Sequence, residues 1–298
     1  MKRFSISILA FMLVFALCAG MCAASADGAA PVAENLELKT YQNVSVGGSL
    51  SAYDPDGGAL EYTITTQPVK GSIELKDDGS FVYTPRENKK GRDYFGYKAA
   101  DGEGNLSQEA TVIIRIEKAK KDVLYSDMRG RPDEYSAVLL SEKGIFTGAQ
   151  IGGKYCFCPD KTVSRGEFLS MCMLAAGEPV VDAALSTGYA DDDAIPAWMK
   201  CYVATADMCG VVAAQEAQTF SPDEPITKAE AALMLDRAIN ITTVSYMPLD
   251  DSFDAEVAQA CVNLSAVGAM DAPAAGDYLT RADMARMLSA AIAVLEKR

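Results

Sequence analysis

The sequence has no histidine. That removes the commonest general base, nucleophile activator and zinc ligand together, and leaves any reaction to carboxylates, Lys, Tyr or Cys. Cations are sparse as well: 27 Lys and Arg stand against 41 Asp and Glu, for a formal net charge of −14. Nucleic acid, whose phosphates need a basic stripe, is a poor partner for such a chain. After the N-terminal leader, no apolar run approaches the roughly 20 residues that span a bilayer. Tryptophan occurs once, as Trp198, and cysteine is missing from the whole stretch between Cys22 and Cys156.

What is there begins with a leader. Lys2 and Arg3 form a positive start, Ile6 to Ala19 an apolar run, and Ala24-Ser25-Ala26 a small-x-small cleavage signature, so residues 1–26 read as an export signal and the mature chain as starting at Asp27. Cys18 and Cys22 follow Leu17 and Met21 rather than the small residue of a lipobox. The 298 residues leave room for two or more domains.

Residues 30–118 read as β. Leu60 to Thr65, Gly71 to Leu75, Ser80 to Thr84, Tyr94 to Lys98 and Ala110 to Ile116 alternate or are rich in β-branched and aromatic side chains. The turn clusters Asp54-Pro55-Asp56-Gly57-Gly58, Asp77-Asp78-Gly79 and Asp101 to Asn105 part them. Short strands at this spacing predict a sandwich of immunoglobulin size. Asp54, Asp56 and Asp101 are candidate calcium ligands and equally good turn residues, since the DPDGG stretch offers two carboxylates where calcium wants six to eight oxygens.

The charged run EKAKKD, Glu117 to Asp122, reads as a connector, with residues 119–124 as linker. Beyond it the composition turns to Ala, Met, Leu and Cys, and one helix start is written three times: VSRGE at Val163 to Glu167, ITKAE at Ile226 to Glu230, LTRAD at Leu279 to Asp283. Ser164 with Glu167, Thr227 with Glu230 and Thr280 with Asp283 have capping-box spacing, Asp283 being a carbon shorter. A cation in a first turn opposes the helix dipole, yet Arg165, Lys228 and Arg281 all stand there. With free first-turn amides such a cation makes an anion site for a carboxylate or phosphate, and it can equally pair with a surface carboxylate.

The repeats have a period of roughly 50 to 65 residues, the length of a supersecondary unit. Three units are expected, at 125–178, 187–241 and 247–298. Each opens near Asp127, Asp191 or Asp250, runs into a helix ending at Gly144, Gly210 or Gly268 as C-cap, and reaches the capping-box helix through a loop. That loop carries Phe157-Cys158-Pro159 in the first unit and Phe220-Ser221-Pro222 in the second, and is clipped in the third. Apolar residues recur at matching offsets, Phe168, Met171 and Cys172 beside Ala231, Met234 and Leu235 beside Met284, Met287 and Leu288, a stripe that belongs in a core. Cys156, Cys158, Cys172, Cys201, Cys209 and Cys261 allow many disulfide pairings in an exported chain. Cys172 and Cys261, at apolar helical positions, suit small buried hydrophobes equally well.

In order, APVAENLEL, LSAYDPDGGALEYTI, QPVKGSIEL, DGSFVYTP, GRDYFGYKAADGEGN and TVIIRI resemble the bacterial cadherin-like or immunoglobulin-like repeats of surface proteins, which act as spacers or adhesive units. Asp, helix, Gly-apolar-x-x-Gly, Phe-x-Pro and Thr-Arg-Ala-Glu before a second helix resemble the S-layer homology motif, three copies of which make a complete domain. The resemblance implies an all-β immunoglobulin/cadherin-like sandwich followed by an all-α pseudo-threefold helical domain. It further implies non-covalent anchoring to a Gram-positive cell wall through a secondary cell-wall polysaccharide bearing pyruvylated N-acetylmannosamine. Carried over, the polysaccharide-binding residues are Arg165, Lys228, Arg281, Asp127, Asp191, Asp250, Trp198, Gly144, Gly148, Gly210 and Gly268. The sequence departs from the motif at Ala214 and Ala272, which replace the second loop glycine, and at Gly166, which replaces Ala. The groove around Lys228 is expected to be the best formed, and the one using the third unit's loop the least.

The expectation is thus a secreted, non-enzymatic cell-wall or S-layer protein. Its partner is wall polysaccharide, with other surface proteins as further candidates, no nucleic acid, and no membrane once the signal is cleaved. No cofactor is expected beyond calcium in the β module. The rival readings are a calcium-dependent adhesin or carbohydrate binder acting through the β module, and a wall-sugar glycosidase using a carboxylate pair.

Overall fold

The computed structural model describes residues 28–121, 123–182, 186–212, 219–241, 254–271 and 276–298. The leader with its cleavage site, Asp250, Ala214 and Ala272 lie outside the described residues.

The first half is a set of short strands: β1 (Val32–Ala33), β2 (Leu36–Tyr41), β3 (Val46–Ser49), β4 (Ala52–Tyr53), β5 (Glu61–Thr66), β6 (Gly71–Leu75), β7 (Ser80–Pro85), β8 (Gly91–Ala100) and β9 (Ala110–Glu117). They form a four-stranded sheet in the order β2-β9-β8-β5, a three-stranded sheet β3-β7-β6, and a small β1-β4 pair. The alternation in β7 and β9 turns Phe81, Tyr83, Val112 and Ile114 inward, each no more than 1% exposed, against Phe95 and Tyr97 of β8. Burying a side chain of this size contributes about 1.5–3 kcal/mol. The buried Asp93 carboxylate is fully engaged, accepting from the Tyr83 hydroxyl at 2.8 Å and from the Val69 and Lys70 amides at 3.0 and 2.8 Å.

β2 alternates as a strand should, in LELKTY, but its partner is remote, while β3 carries little local signal. β2 pairs in parallel with β9, some seventy residues further on, a match that no hairpin signature announces. β3 reads VGGS and has almost no strand propensity. Its glycines are demanded by neighbours: a Cβ on Gly48 would lie 2.5 Å from the Phe81 ring, and one on Gly47 2.6 Å from Pro132 Cβ.

Among the described residues the second half holds six α-helices, α1 (Glu134–Glu142), α2 (Arg165–Ala176), α3 (Ala197–Met208), α4 (Lys228–Ile239), α5 (Ala255–Ala266) and α6 (Arg281–Leu295), with a small hairpin of β10 (Ala149–Ile151) and β11 (Lys154–Cys156) after α1. The capping-box helices α2, α4 and α6 touch one another, and each takes one partner on its outer side: α3 packs on α2, α5 on α4, and α1 on α6. The first helix of each unit therefore lies on the second helix of the unit before it, and the first unit closes on the last. Helices α1, α3 and α5 end in the same motif. Gly144, Gly210 and Gly268 have φ of 75°, 72° and 70°, and the following amide returns to the third carbonyl from the helix end, as Val211 N–H does to Ala206 O at 2.8 Å. Among the described residues no helix is long and apolar enough to cross a membrane.

The charged connector is held by the helical half. Glu142 of α1 accepts the amides of Lys120 and Lys121, which pins the chain between the two halves. Beside it β3 docks on the start of α1: Gly47 N–H donates to Pro132 O at 2.8 Å, Tyr135 N–H to Ser45 O at 3.1 Å, and the buried Glu134 carboxylate accepts from Ser45 N–H at 3.0 Å and Gly130 N–H at 3.1 Å.

Candidate functional site

The apolar residue before each helix-start hydroxyl has a role that pattern alone does not reveal. Val163, Ile226 and Leu279, each no more than 1% exposed, close a ring of backbone hydrogen bonds. Val163 N–H donates to Leu279 O at 3.0 Å, Leu279 N–H to Ile226 O at 2.9 Å, and Ile226 N–H to Val163 O at 3.1 Å. From this ring the three helices α2, α4 and α6 start, with Ser164, Thr227 and Thr280 accepting from the amides of Glu167, Glu230 and Asp283 at 3.3, 3.2 and 3.2 Å. The carboxylates reach back to the cap amides in all three.

Loop carbonyls beside the ring take up amides that an anion would need. The N–H groups of Arg165, Lys228 and Arg281 donate to Glu224 O, Asp277 O and Lys161 O at 2.8, 2.8 and 2.9 Å, and those of Gly166 and Ala282 to Pro222 O and Pro159 O at 3.0 and 2.9 Å. The expectation of free first-turn amides is therefore corrected. Each helix N-terminus is tied to the loop of another unit, because an orphan amide at a packed helix end must find an acceptor. At these five positions only the side chain remains to meet a ligand.

The three cations differ sharply. Arg165 is 8% exposed. Its guanidinium lies 5.6 Å from the Phe220 ring centroid and 3.3 Å from a Glu230 oxygen, and its Nε has no hydrogen-bond partner among the described residues. Burial lowers its pKa from the ordinary arginine value, against the pull of Glu230. Arg281 sits 4.9 Å from the Phe146 ring centroid and donates to Phe157 O at 3.0 Å. Lys228 is half-buried, 3.4 Å from a carboxylate oxygen of Asp283, and faces a cleft lined by Ala269, Met270, Asp271, Asp283, Arg286 and Met287. Burial acts to raise the Asp283 carboxyl, but the Thr280 hydroxyl, Arg286 and Lys228 together hold it below the ordinary carboxylate value. The groove around Lys228 and the groove using the third unit's loop, ranked apart on sequence, are one and the same, since Ala269 to Asp271 belong to that loop.

Asp127 and Asp191 face inward to backbone. Asp191 accepts from Phe220 N–H and Ser221 N–H, both at 2.7 Å, and Asp127 from Phe157 N–H and Cys158 N–H at 2.9 and 2.7 Å. Each pair of bonds steadies a loop whose second residue, Ser221 or Cys158, has a positive φ of 55°. Gly148 has φ 70° and its Cβ would fall 2.5 Å from Cys156 O, so its place is a backbone requirement. Trp198 is 59% exposed at the start of α3, edge-on to Tyr202, and is not among the residues lining the Lys228 cleft.

Gly166 departs from the repeat pattern for a visible reason. A Cβ there would sit 2.4 Å from Met199 Sδ and 2.6 Å from its Cε. We expect Gly166→Ala to destabilise the protein by about 1–2 kcal/mol through overpacking. In a Met199→Ala background the same substitution should cost clearly less, because the close sulfur contact is gone and only Pro222 O, 3.1 Å from the Cβ, is left to give way. Urea midpoints of the four proteins decide this; additivity would refute it.

The β-module aspartates accept hydrogen bonds within the module, Asp56 from the distant Ala29 N–H at 2.5 Å. Asp101 accepts from the Asn105 and Glu103 amides at 2.8 and 3.0 Å and from Asn105 Nδ2 at 2.8 Å, and Asp54 from Asp56 N–H at 3.0 Å. Among the described residues no group of three His, Cys, Asp or Glu is placed to hold a metal ion. The six described cysteines are unpaired, and Cys172 and Cys261 lie in the core at 0% and 1% exposure. Burial pushes the Cys172 thiol up to about 12.

Residues 28–118 match the family model of the bacterial cadherin-like domain, and residues 188–232 that of the S-layer homology domain. The chain thus carries a bacterial cadherin-like domain followed by an S-layer homology domain. It is 27% identical over 187 residues to the surface-layer 125 kDa protein of Lysinibacillus sphaericus, a match that covers 58% of this chain and 15% of that protein. Among solved structures it resembles the SrpA adhesin of Streptococcus sanguinis, at 15% identity over 33% of this chain and 67% of that one, TM-score 0.25. Human protocadherin-24 matches at 20% identity over 30% of this chain and 52% of that one, TM-score 0.25. An endo-fucoidan hydrolase of glycoside hydrolase family 107 matches at 22% identity over 30% of this chain and 14% of that one, TM-score 0.25. At such scores the activities of those proteins have no bearing on this one.

Proposed function

We propose that the helical half holds this protein non-covalently at the cell wall or S-layer by binding an anionic, pyruvylated secondary cell-wall polysaccharide. Turnover plays no part in this reading, and the β module serves as spacer or adhesive unit. The three units together form one S-layer homology domain of pseudo-threefold build, although the family model matches the second unit alone. The cyclic order of helix contacts and the ring through Val163, Ile226 and Leu279 support this.

The observation that carries the binding proposal is the cleft at Lys228, where a cation at the start of α4 stands accessible in an otherwise acidic protein. A ketal pyruvate is a carboxylate, and a charge-assisted contact suits it. Arg165, buried between Phe220 and Glu230, has no open face to offer, so the grooves are unequal and the Lys228 one is the binding groove.

The protein should sediment with wall sacculi that retain their polysaccharide and stay in the supernatant once that polymer is stripped. Lys228→Ala should weaken the association about tenfold or more, the loss of one charge-assisted hydrogen bond. Equal sedimentation with both kinds of sacculi would refute the wall-polymer reading.

A further inference from the structure

We infer that Arg286 is a second carboxylate-binding cation of the Lys228 cleft, and that the side chain of Asp271 occupies it until an anionic ligand takes its place. The inference rests on the wall-polymer reading above and says how that groove selects its ligand.

Arg286 is particular to the third unit. It stands five residues beyond Arg281 on α6, where the first unit has Ser170 and the second Leu233. Its guanidinium makes two unlike contacts. Nη2 lies 2.6 Å from Asp283 Oδ1, at the floor of the cleft, while Nη1 lies 3.5 Å from Asp271 Oδ2, on a side chain 92% exposed. The other Asp283 oxygen faces Lys228 Nζ at 3.4 Å. Asp283 thus holds both cations in place, one on each oxygen, and is itself fixed by the Thr280 hydroxyl at 2.8 Å. The geometry of the floor is set, and the cap is loose.

The charges give the loose cap its meaning. With Asp271 in place, two cations face two carboxylates and the cleft is neutral; with Asp271 swung out, one positive charge is left for an incoming anion. An exposed ion pair is weak and costs little to break. Asp271 presents to Arg286 the group that a pyruvate ketal would present, a carboxylate, so its side chain is an internal stand-in for the ligand. Ala269, Met270 and Met287 supply an apolar wall beside the cations, suited to the ketal methyl group and a sugar-ring face. A neutral sugar gains nothing by displacing Asp271, and the cleft therefore discriminates in favour of the charged polymer.

The test is calorimetric titration of the whole protein with the methyl glycoside of pyruvylated N-acetylmannosamine and with its unpyruvylated twin. Asp271→Asn should tighten the pyruvylated probe about twofold to fivefold, the size of one exposed ion pair. Arg286→Ala should weaken it about tenfold or more. The double variant should show no gain from Asp271→Asn, because the competitor acts only through Arg286. A merely structural Arg286 would lower the melting temperature but leave the Asp271→Asn gain intact in the double variant, and that result overturns the inference. Asp271→Asn, exposed and free of folding demands, keeps the test open even if Arg286→Ala folds poorly: wild-type binding with no change in Asp271→Asn also overturns it. Failure of the wild-type protein to bind either probe would instead remove the wall-polymer reading itself.

Discussion

Asp191→Ala should lower the stability of the helical half by about 3 kcal/mol, the scale of two hydrogen bonds to a charged acceptor. At about 3 °C per kcal/mol for a body of this size, that is a fall of roughly 10 °C in melting temperature. The Asp191 carboxylate holds the amides of Phe220 and Ser221 at 2.7 Å each, with Ser221 at φ 55°. The loop so held puts Phe220 in the core 5.7 Å from the Tyr189 ring and presents Pro222 O and Glu224 O to the first-turn amides of α2. Without the carboxylate, two buried donors lose their acceptor and the first and second units lose a shared edge. Asp191→Asn keeps one acceptor oxygen and should cost about half as much. Asp127→Ala should do to the first unit's loop what Asp191→Ala does to the second's, since its bonds to Phe157 and Cys158 are the same pair. Thermal melts read the loss, and hydrogen exchange at Phe220 and Ser221 reads its place. Unchanged exchange there would show that the carboxylate does not hold the loop.

Gly47→Val should part the two halves of the molecule. The glycine N–H donates to Pro132 O at 2.8 Å, and its would-be Cβ lies 2.6 Å from Pro132 Cβ and 2.9 Å from Pro132 O, the latter being backbone that cannot step aside. A branched side chain must push β3 off the start of α1 and take with it the Tyr135–Ser45 bond, the Glu134 contacts and the packing of Tyr41 on Tyr135, whose ring centroids are 5.5 Å apart. We expect the wild-type protein to melt in one cooperative transition and Gly47→Val in two, with a larger radius of gyration in solution scattering. Two transitions in the wild type would refute the coupling.

The dock should also respond to pH. Burial raises the Glu134 carboxyl above its ordinary value, more than the Ser45 and Gly130 amides lower it. A carboxyl whose folded value lies above its unfolded one binds more protons in the folded state, so its contribution is full at acid pH and declines as pH rises from the ordinary glutamate range to the raised value. Glu134→Gln should remove that slope, and the difference between the two melting profiles isolates it.

Much of this was legible in the chain because it is local. A capping box spans four residues and a C-terminal glycine motif about six, so Ser164, Thr227 and Thr280, or Gly144, Gly210 and Gly268, announce themselves wherever the rest of the chain lies. The alternation of Ser80 to Thr84 and the turn at Asp77-Asp78-Gly79 are local in the same sense. β3 escaped because its glycines obey Phe81 and Pro132 rather than strand propensity, and the pairing of β2 because its parallel partner is remote. Arg165, Lys228 and Arg281 looked alike for the same reason. Sequence shows each cation with its own helix, while its fate depends on the aromatic ring or carboxylate that another unit brings to it.

By itself, then, the sequence determined the β half, the repeated helix pairs and their caps, and the location of the basic residues, since these follow from interactions within a few residues. Only the tertiary structure decided that first-turn amides are taken up by the loop of another unit, that Arg165 is buried while Lys228 opens on a cleft shared with Arg286 and Asp271, that Asp127 and Asp191 brace loops, and that the β module is docked. Each of those outcomes turns on groups that lie well apart along the chain. Burial and pairing, which set the energy of a charge, are properties of the assembled neighbours and not of the residue.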